Sequence, residues 1–283
     1  MNPSEIIMSF IFLAGALLFG LWLLKTSLGR EALADSRLRR NSMPLYLCLI
    51  PPFILFGPIP IVILITERLT VDLQDWQRLF LNNLIYCIGS VAVVTVILFM
   101  VRASFARRLK GFGLNARSIH KDFFAAFVNL LTVWPLMMAA ITLTMFIGKF
   151  VFGPEYQMSQ HEQLELITAY PRWQLRILIF IVAAVIAPVL EEMMFRGLFQ
   201  TVIRSLLETR DSKLEGRYHA WIAIFISSGL FSIVHLNVPH WPALFLLGIC
   251  LGYAYEKSGS LFRPIFIHAI FNAITIIFVL LEV

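Results

Sequence analysis

Residues 187–199 read APVLEEMMFRGLF. Two adjacent carboxylates, Glu191 and Glu192, and one guanidinium, Arg196, interrupt an apolar segment that begins at Ile177 and runs on to Ile203. Lipid-facing sequence would carry leucine at such positions. An ionisable side chain at membrane depth is costly to place, so function is its default reading.

The rest of the chain establishes that depth. Of 283 residues 59% are hydrophobic and 14% charged, and the mean hydropathy is +0.81, far from the balance of a soluble domain. Ile6–Leu24, Asn41–Thr66, Leu79–Val101 and Phe123–Gly148 hold 19, 26, 23 and 26 residues without Asp, Glu, Lys or Arg. About 20 apolar residues suffice to cross a bilayer as a helix. Tyr218–Tyr255 is free of the same four types, and the turn-like NVPHWP (Asn237–Pro242) divides it into two spans. Pro264–Leu281 supplies the last. The expected fold is an all-α, polytopic transmembrane helical bundle of about eight spans.

The net charge of +6 is a topology signal. Loops 25–44, 102–122, 207–218 and 257–263 hold 16 Lys and Arg, against 5 in loops 66–78 and 149–176. By the positive-inside rule both termini are expected outside, with weak attraction of the basic face to anionic lipid. The partner is the lipid bilayer, not nucleic acid; in a prokaryote the site is the plasma (inner) membrane. The first span lacks a basic flank ahead of it, and Lys25 and Arg30 follow it, so it reads as an anchor rather than a cleaved signal. Cys48, Cys87 and Cys250 are isolated in apolar runs and form no CxxC pair; they read as small buried hydrophobes.

Two parts are expected. Residues 1–171 comprise four spans and the outside loop that follows, with no ionisable groups in the apolar cores. Their oddity is LIPPFILFGPIPIVI, four prolines between Pro51 and Pro60, each of which removes a backbone donor and bends or breaks the second span. Phe150–Arg176 is expected to form a cap or an interfacial helix. Residues 172–283 hold every suspicious polar group.

Helical spacing sorts those groups. Glu192 and Arg196 are four apart, about 40° around an α-helix, and can pair; Glu191 and Arg196 are about 140° apart and cannot easily do so. A structural ion pair needs one glutamate, so Glu191 is the anomaly. Pro188 frees a carbonyl near Ala184, and Gly197 permits close helix approach. GLFSIVHLN places Phe231 and His235 four apart in the sixth span, one to two turns after Ser227 and Ser228. IFIHAIFNA does the same for His268 and Asn272 in the eighth. The other histidines lie in loops, at a span entrance or in a turn. Buried polar groups must find partners, and these are expected to find each other. Together a carboxylate and two imidazoles can ligate zinc with room for water, or activate a water by general base catalysis. The Asn272 amide can face a developing oxyanion.

EEMMFR fits EExxxR, FSIVH fits FxxxH, and HAIFN fits HxxxN, in order on successive spans. In this the chain resembles the CPBP family of intramembrane proteases, which includes the type 2 CAAX prenyl endopeptidases and the Abi bacteriocin-immunity proteins, over roughly residues 172–275. The resemblance implies a bundle of eight or so helices and a metal- or glutamate-dependent endopeptidase acting on a peptide or protein. Glu191 would be the water-activating carboxylate, with His235 its partner at the water or metal. His268 and Asn272 would complete the site, and Glu192, Arg196 and Phe231 would support it. If zinc is used, Glu191, His235 and His268 would hold it. Two other classes fit buried charge: a non-enzymatic scaffold, maturation or immunity factor of the same family, and an ion-coupled transporter. The absence of an inverted repeat counts against the transporter.

One requirement is geometric. With the N-terminus outside, His235 falls at the outer end of the sixth span and His268 near the inner end of the eighth. They meet if the sixth span stops short, in a cavity that water can reach, or if a span boundary lies elsewhere than the charges place it.

Overall fold

The computed structural model describes residues 3–158, 162–210 and 215–282. The loop histidine His161 lies outside them, as do Met1 and Val283, whose side of the membrane the loop charges predict. Among the described residues there is no strand, only an isolated bridge between Asn41 and Phe105. The chain is an all-α helical bundle and an integral, multi-pass membrane protein.

Helix α1 (Pro3–Lys25) is followed by a basic loop and a second span in pieces: a 3-10 turn (Leu45–Leu49), α2 (Ile50–Phe56) and α3 (Pro58–Leu69). The prolines set those breaks. Pro51 and Pro58 sit in the first turns of α2 and α3, where a missing N–H costs nothing. Then come α4 (Asp75–Ser104), the short α5 (Arg108–Phe112), α6 (Ile119–Phe152) and α7 (Glu162–Ala169). Helix α7 falls in the segment expected to cap the bundle. Its Ile167 packs with Leu175, Ile179 and Ile276, and Arg176 Nε donates to Ile167 O at its C-terminus, 3.1 Å.

The fifth span is one continuous rod of changing pitch. It runs through α8 (Trp173–Ile181), a π-helical turn (Val182–Ile186), α9 (Ala187–Glu192), a π-helical stretch (Met193–Gln200) and α10 (Thr201–Arg210). Helices α11 (Gly216–Ile233), α12 (Trp241–Ser258) and α13 (Phe262–Glu282) complete the chain.

Seven helical segments among the described residues are long and apolar enough to cross a membrane. The eighth expected span, α11, is the exception: its 18 residues open on Arg217 and carry Ser227, Ser228 and Ser232. Those polar residues, not length, set it apart, since α12 is also 18 residues long.

Burial follows chemistry. Only 6% of the first span's apolar window is buried, against 44% for Trp173–Arg210. The first faces lipid and needs no polar partner, whereas the fifth is surrounded by protein. The main core joins α4, α6, the fifth span, α12 and α13, so both halves of the chain share one apolar interior.

Candidate active site

The site forms where the fifth span meets α11, α12 and α13, and each side chain arrives for a local reason. Pro188 cannot close a helical turn, and the rod widens just before it: Ala187 N–H reaches back five residues to Val182 O. In that register the next carbonyl, Ala183 O, faces Pro188 and has no donor. Asn272 Nδ2 fills the gap at 2.8 Å. The freed carbonyl is therefore Ala183, one residue from the α-helical expectation, and Asn272 gives it one of its two Nδ2 hydrogens.

The two glutamates part company at the next turn. Glu192 is fully buried, and its Oε1 accepts from Arg196 NH1 at 2.9 Å and from His268 Nδ1 at 3.0 Å. The expected ion pair is present, but Glu192 also holds a histidine, which spacing along one helix could not reveal. Arg196 NH2 donates to Gly248 O of α12 at 3.2 Å, and its guanidinium lies 4.5 Å from the Phe231 ring centroid. Close approach makes this possible. A Cβ at Gly248 would sit 2.9 Å from Ser228 Cβ, and one at Gly197 would overlap the Phe112 ring. Ser227 Oγ donates to Phe195 O at 2.8 Å, tying α11 to the π-helical stretch.

Glu191 points the other way. Its Oε2 lies 3.9 Å from His235 Nε2 and 3.9 Å from His268 Nε2, and has no hydrogen-bond partner. His235 sits in the turn after α11, where its Nδ1 is 2.6 Å from Phe231 O. Phe231 is the wedge between them, its ring edge-on to both imidazoles at centroid distances of 4.7 and 5.5 Å.

The tautomers follow from these partners. A carbonyl and an ion-paired carboxylate can only accept, so both histidines donate from Nδ1, and in the neutral form each presents Nε2 as a lone pair. Glu191 Oε2 is an acceptor too. Three acceptors thus converge with no donor among them, and the Glu191 and His235 side chains keep 18% and 17% of their surface open. That arrangement calls for a water molecule or a cation.

Zinc is the cation to test. One carboxylate oxygen and two imidazole nitrogens are a zinc donor set, and tethering each Nδ1 to an oxygen acceptor is how ligating histidines are oriented. The spacing as it stands is looser. Separations of 3.9 Å exceed the edge of about 3.3 Å for a tetrahedron of ~2.0 Å bonds. Among the described residues no group of three such side chains stands ready as a metal cage. A water accepts this spacing without movement.

Sequence reasoning missed a second buried cluster two turns along the same rod. Glu256 of α12 accepts from Gln200 Nε2 at 3.1 Å, Arg204 NH1 at 2.5 Å and Arg39 NH1 at 3.4 Å. Arg39 also donates to Tyr255 O at 2.8 Å and stacks 3.6 Å over the Tyr255 ring. Its signal was present as Arg196, Gln200, Arg204 and Glu208, each four apart, opposite Gly248, Gly252 and Glu256 on α12.

Residues 172–274 match the family described as type II CAAX prenyl endopeptidase, Rce1-like. The match runs from the fifth span into α13 and contains all the converging residues. A Bacillus subtilis (strain 168) protein named "Putative membrane peptidase YdiL" is 28% identical over 114 residues, 40% of each chain. The "UPF0177 protein YaiF" of Lactococcus lactis subsp. lactis (strain IL1403) is 26% identical over 157 residues, 53% of this chain and 64% of that one. The chain therefore spans less than two thirds of either relative's length. No solved structure matches at a significant level. The Rce1-like region and the polar cluster coincide in space as well as in sequence.

Proposed function

We propose that this protein is an intramembrane endopeptidase that hydrolyses a peptide bond of a membrane-associated protein or peptide, with Glu191 as general base. The observation that carries this is the donor-free meeting of Glu191 Oε2 with two histidine Nε2 lone pairs 3.9 Å away. Buried Glu256 is filled with donors; Glu191 Oε2 is left for a water.

The chemistry then follows. A water that donates one O–H to Glu191 and the other to an imidazole Nε2 gives the first proton to Glu191 as its oxygen bonds to the peptide carbonyl carbon. When the tetrahedral adduct collapses, the C–N bond breaks and Glu191 passes that proton to the leaving nitrogen. The second water proton leaves with the new carboxylic acid, which ionises. Glu192 and Arg196 hold His268 in the tautomer that presents Nε2, and Phe231 fixes the spacing of both rings. Asn272 positions the fifth span through Ala183 O. Zinc, if bound, would be held by Glu191, His235 and His268, and would lower the pKa of its water and polarise the carbonyl. The loop charges support both termini outside, with the basic loops on the cytoplasmic face of a plasma membrane.

The test compares peptide termini, by mass spectrometry, in membranes carrying the wild-type chain or Glu191→Ala. Termini present only with the wild type are expected. An identical set, with both proteins folded, would leave the scaffold reading in place. Metal analysis of the purified chain completes the test: if zinc is used, His235→Ala and His268→Ala each lower its content.

A further inference from the structure

Behind the Glu191 site, Glu192 Oε2, Arg196 Nε and Ser228 Oγ are buried and make no hydrogen bond to any described residue. Their residues are 0%, 0% and 1% exposed. Leaving a buried polar atom unpaired is costly, most of all in a charged group.

The contacts around these atoms make them neighbours. Glu192 Oε2 and Arg196 Nε belong to the two groups that pair at 2.9 Å through Oε1 and NH1. Ser228 comes from α11. It stands three residues before Phe231, on the same face of the helix, and the Phe231 ring lies 4.5 Å from the Arg196 guanidinium. The preceding hydroxyl, Ser227 Oγ, donates to Phe195 O at 2.8 Å, which holds α11 against this stretch. From the other side, Gly248 O accepts from Arg196 NH2 at 3.2 Å. A Cβ at Gly248 would come within 3.1 Å of Ser228 Oγ, so one glycine lies against both the arginine and the serine.

Chemistry narrows the occupant. The carboxylate oxygen needs a donor, the guanidinium N–H needs an acceptor, and the hydroxyl can be either. A cation would face the Arg196 N–H, and an anion would face Glu192. A small neutral molecule that both donates and accepts fits all three, and buried waters make about three hydrogen bonds to groups of this kind. We propose that one internal water joins Glu192 Oε2, Arg196 Nε and Ser228 Oγ, distinct from the water activated at Glu191. It donates to Glu192 and accepts from Arg196, and no proton is transferred. Glu192 Oε1 holds His268 Nδ1 at 3.0 Å, so the water makes Ser228 a positioning residue for His268. That role rests on hydrolysis at Glu191; the water itself does not.

Three measurements test this, two of them independent of activity. An experimental structure of the full chain, at a resolution that shows ordered water, should place a density peak within hydrogen-bond distance of at least two of the three atoms. Absence of that peak overturns the proposal. In unfolding of the purified chain, Ser228→Ala and Glu192→Gln should be non-additive by about tenfold in the equilibrium constant, as for residues that share a partner. Ser227→Ala, whose hydroxyl is held by Phe195 O, should combine with Glu192→Gln additively. If Ser228→Ala is additive too, the shared site falls. On a peptide whose cleavage depends on Glu191, Ser228→Ala should lower kcat by about tenfold with KM unchanged, the lower end of the loss when a group that orients a histidine is removed. If Ser228→Ala keeps its kcat while Glu191→Gln abolishes cleavage, the positioning role falls and the peptidase reading stands. If Glu191→Gln also cleaves normally, the peptidase reading falls, and density and unfolding decide the water.

Discussion

Two clusters of buried charge lie along the same rod and differ in how their donors and acceptors are matched. Around Glu256, three cationic or amide side chains donate to one carboxylate, and Arg39 and Arg204 find further acceptors at Tyr255 O and Ser36 O. Around Glu191, two lone pairs and a carboxylate oxygen face each other with nothing to donate. The first cluster ties the basic loop after α1 to α10 and α12. The second is left incomplete. Glu192 stands between them, next to the open site in sequence yet paired like a member of the closed one. Depth in a membrane does not by itself mark a catalytic group. What marks it is an imbalance that the protein does not correct.

The largest effect expected from this contrast is on folding. Arg196→Ala strands Glu192 without its cation inside the bundle, and breaking a buried pair by removing one partner costs about 3–5 kcal/mol. Thermal unfolding of the variant in detergent should show that loss; a stability equal to wild type would erase the distinction between the two glutamates. Glu191→Gln should do the reverse. Cleavage falls by about 10²-fold or more, some 2.7 kcal/mol of barrier at 1.36 kcal/mol per tenfold, while the unfolding temperature stays put. Glu192→Gln should cost less activity and more stability, and the opposite ranking would exchange the two roles.

A smaller effect is expected where helices only touch. Gly197→Val presses a side chain into the Phe112 ring, and overpacking of this kind costs about 1–3 kcal/mol. A variant that melts like wild type would mean that α5 yields freely. The smallest belongs to the edge of the closed cluster. Arg39→Ala leaves Arg204 and Gln200 on Glu256. It removes a long contact to Glu256, the bond to Tyr255 O and the stacking on its ring, the last worth roughly 0.5–2 kcal/mol. Its loss of stability should add to that of Glu192→Gln, since well-separated sites with no shared partner are additive. Marked non-additivity would merge the two clusters into one.

Much of this was legible beforehand because it is local. Charge-free runs of 19 to 26 residues define spans whatever their neighbours do, since a bilayer demands only length and apolarity. Four clustered prolines break the second span through their own missing donors. The pairing of Glu192 with Arg196 needs no more than a helical repeat. The meeting of Glu191, His235 and His268 could be expected from the cost of leaving such groups unpaired.

Tertiary structure alone decided which acceptor each donor found. Asn272 faces Ala183 O because Pro188 and a widened turn expose that carbonyl. His268 rests on Glu192 because α13 crosses the rod at that level. Glu256, Arg204 and Arg39 assemble from segments more than 50 and more than 160 residues apart. Periodicity states which residues share a face. It carries no information about which face of another helix will be opposite, and in this protein that choice separates a closed ion cluster from an open site.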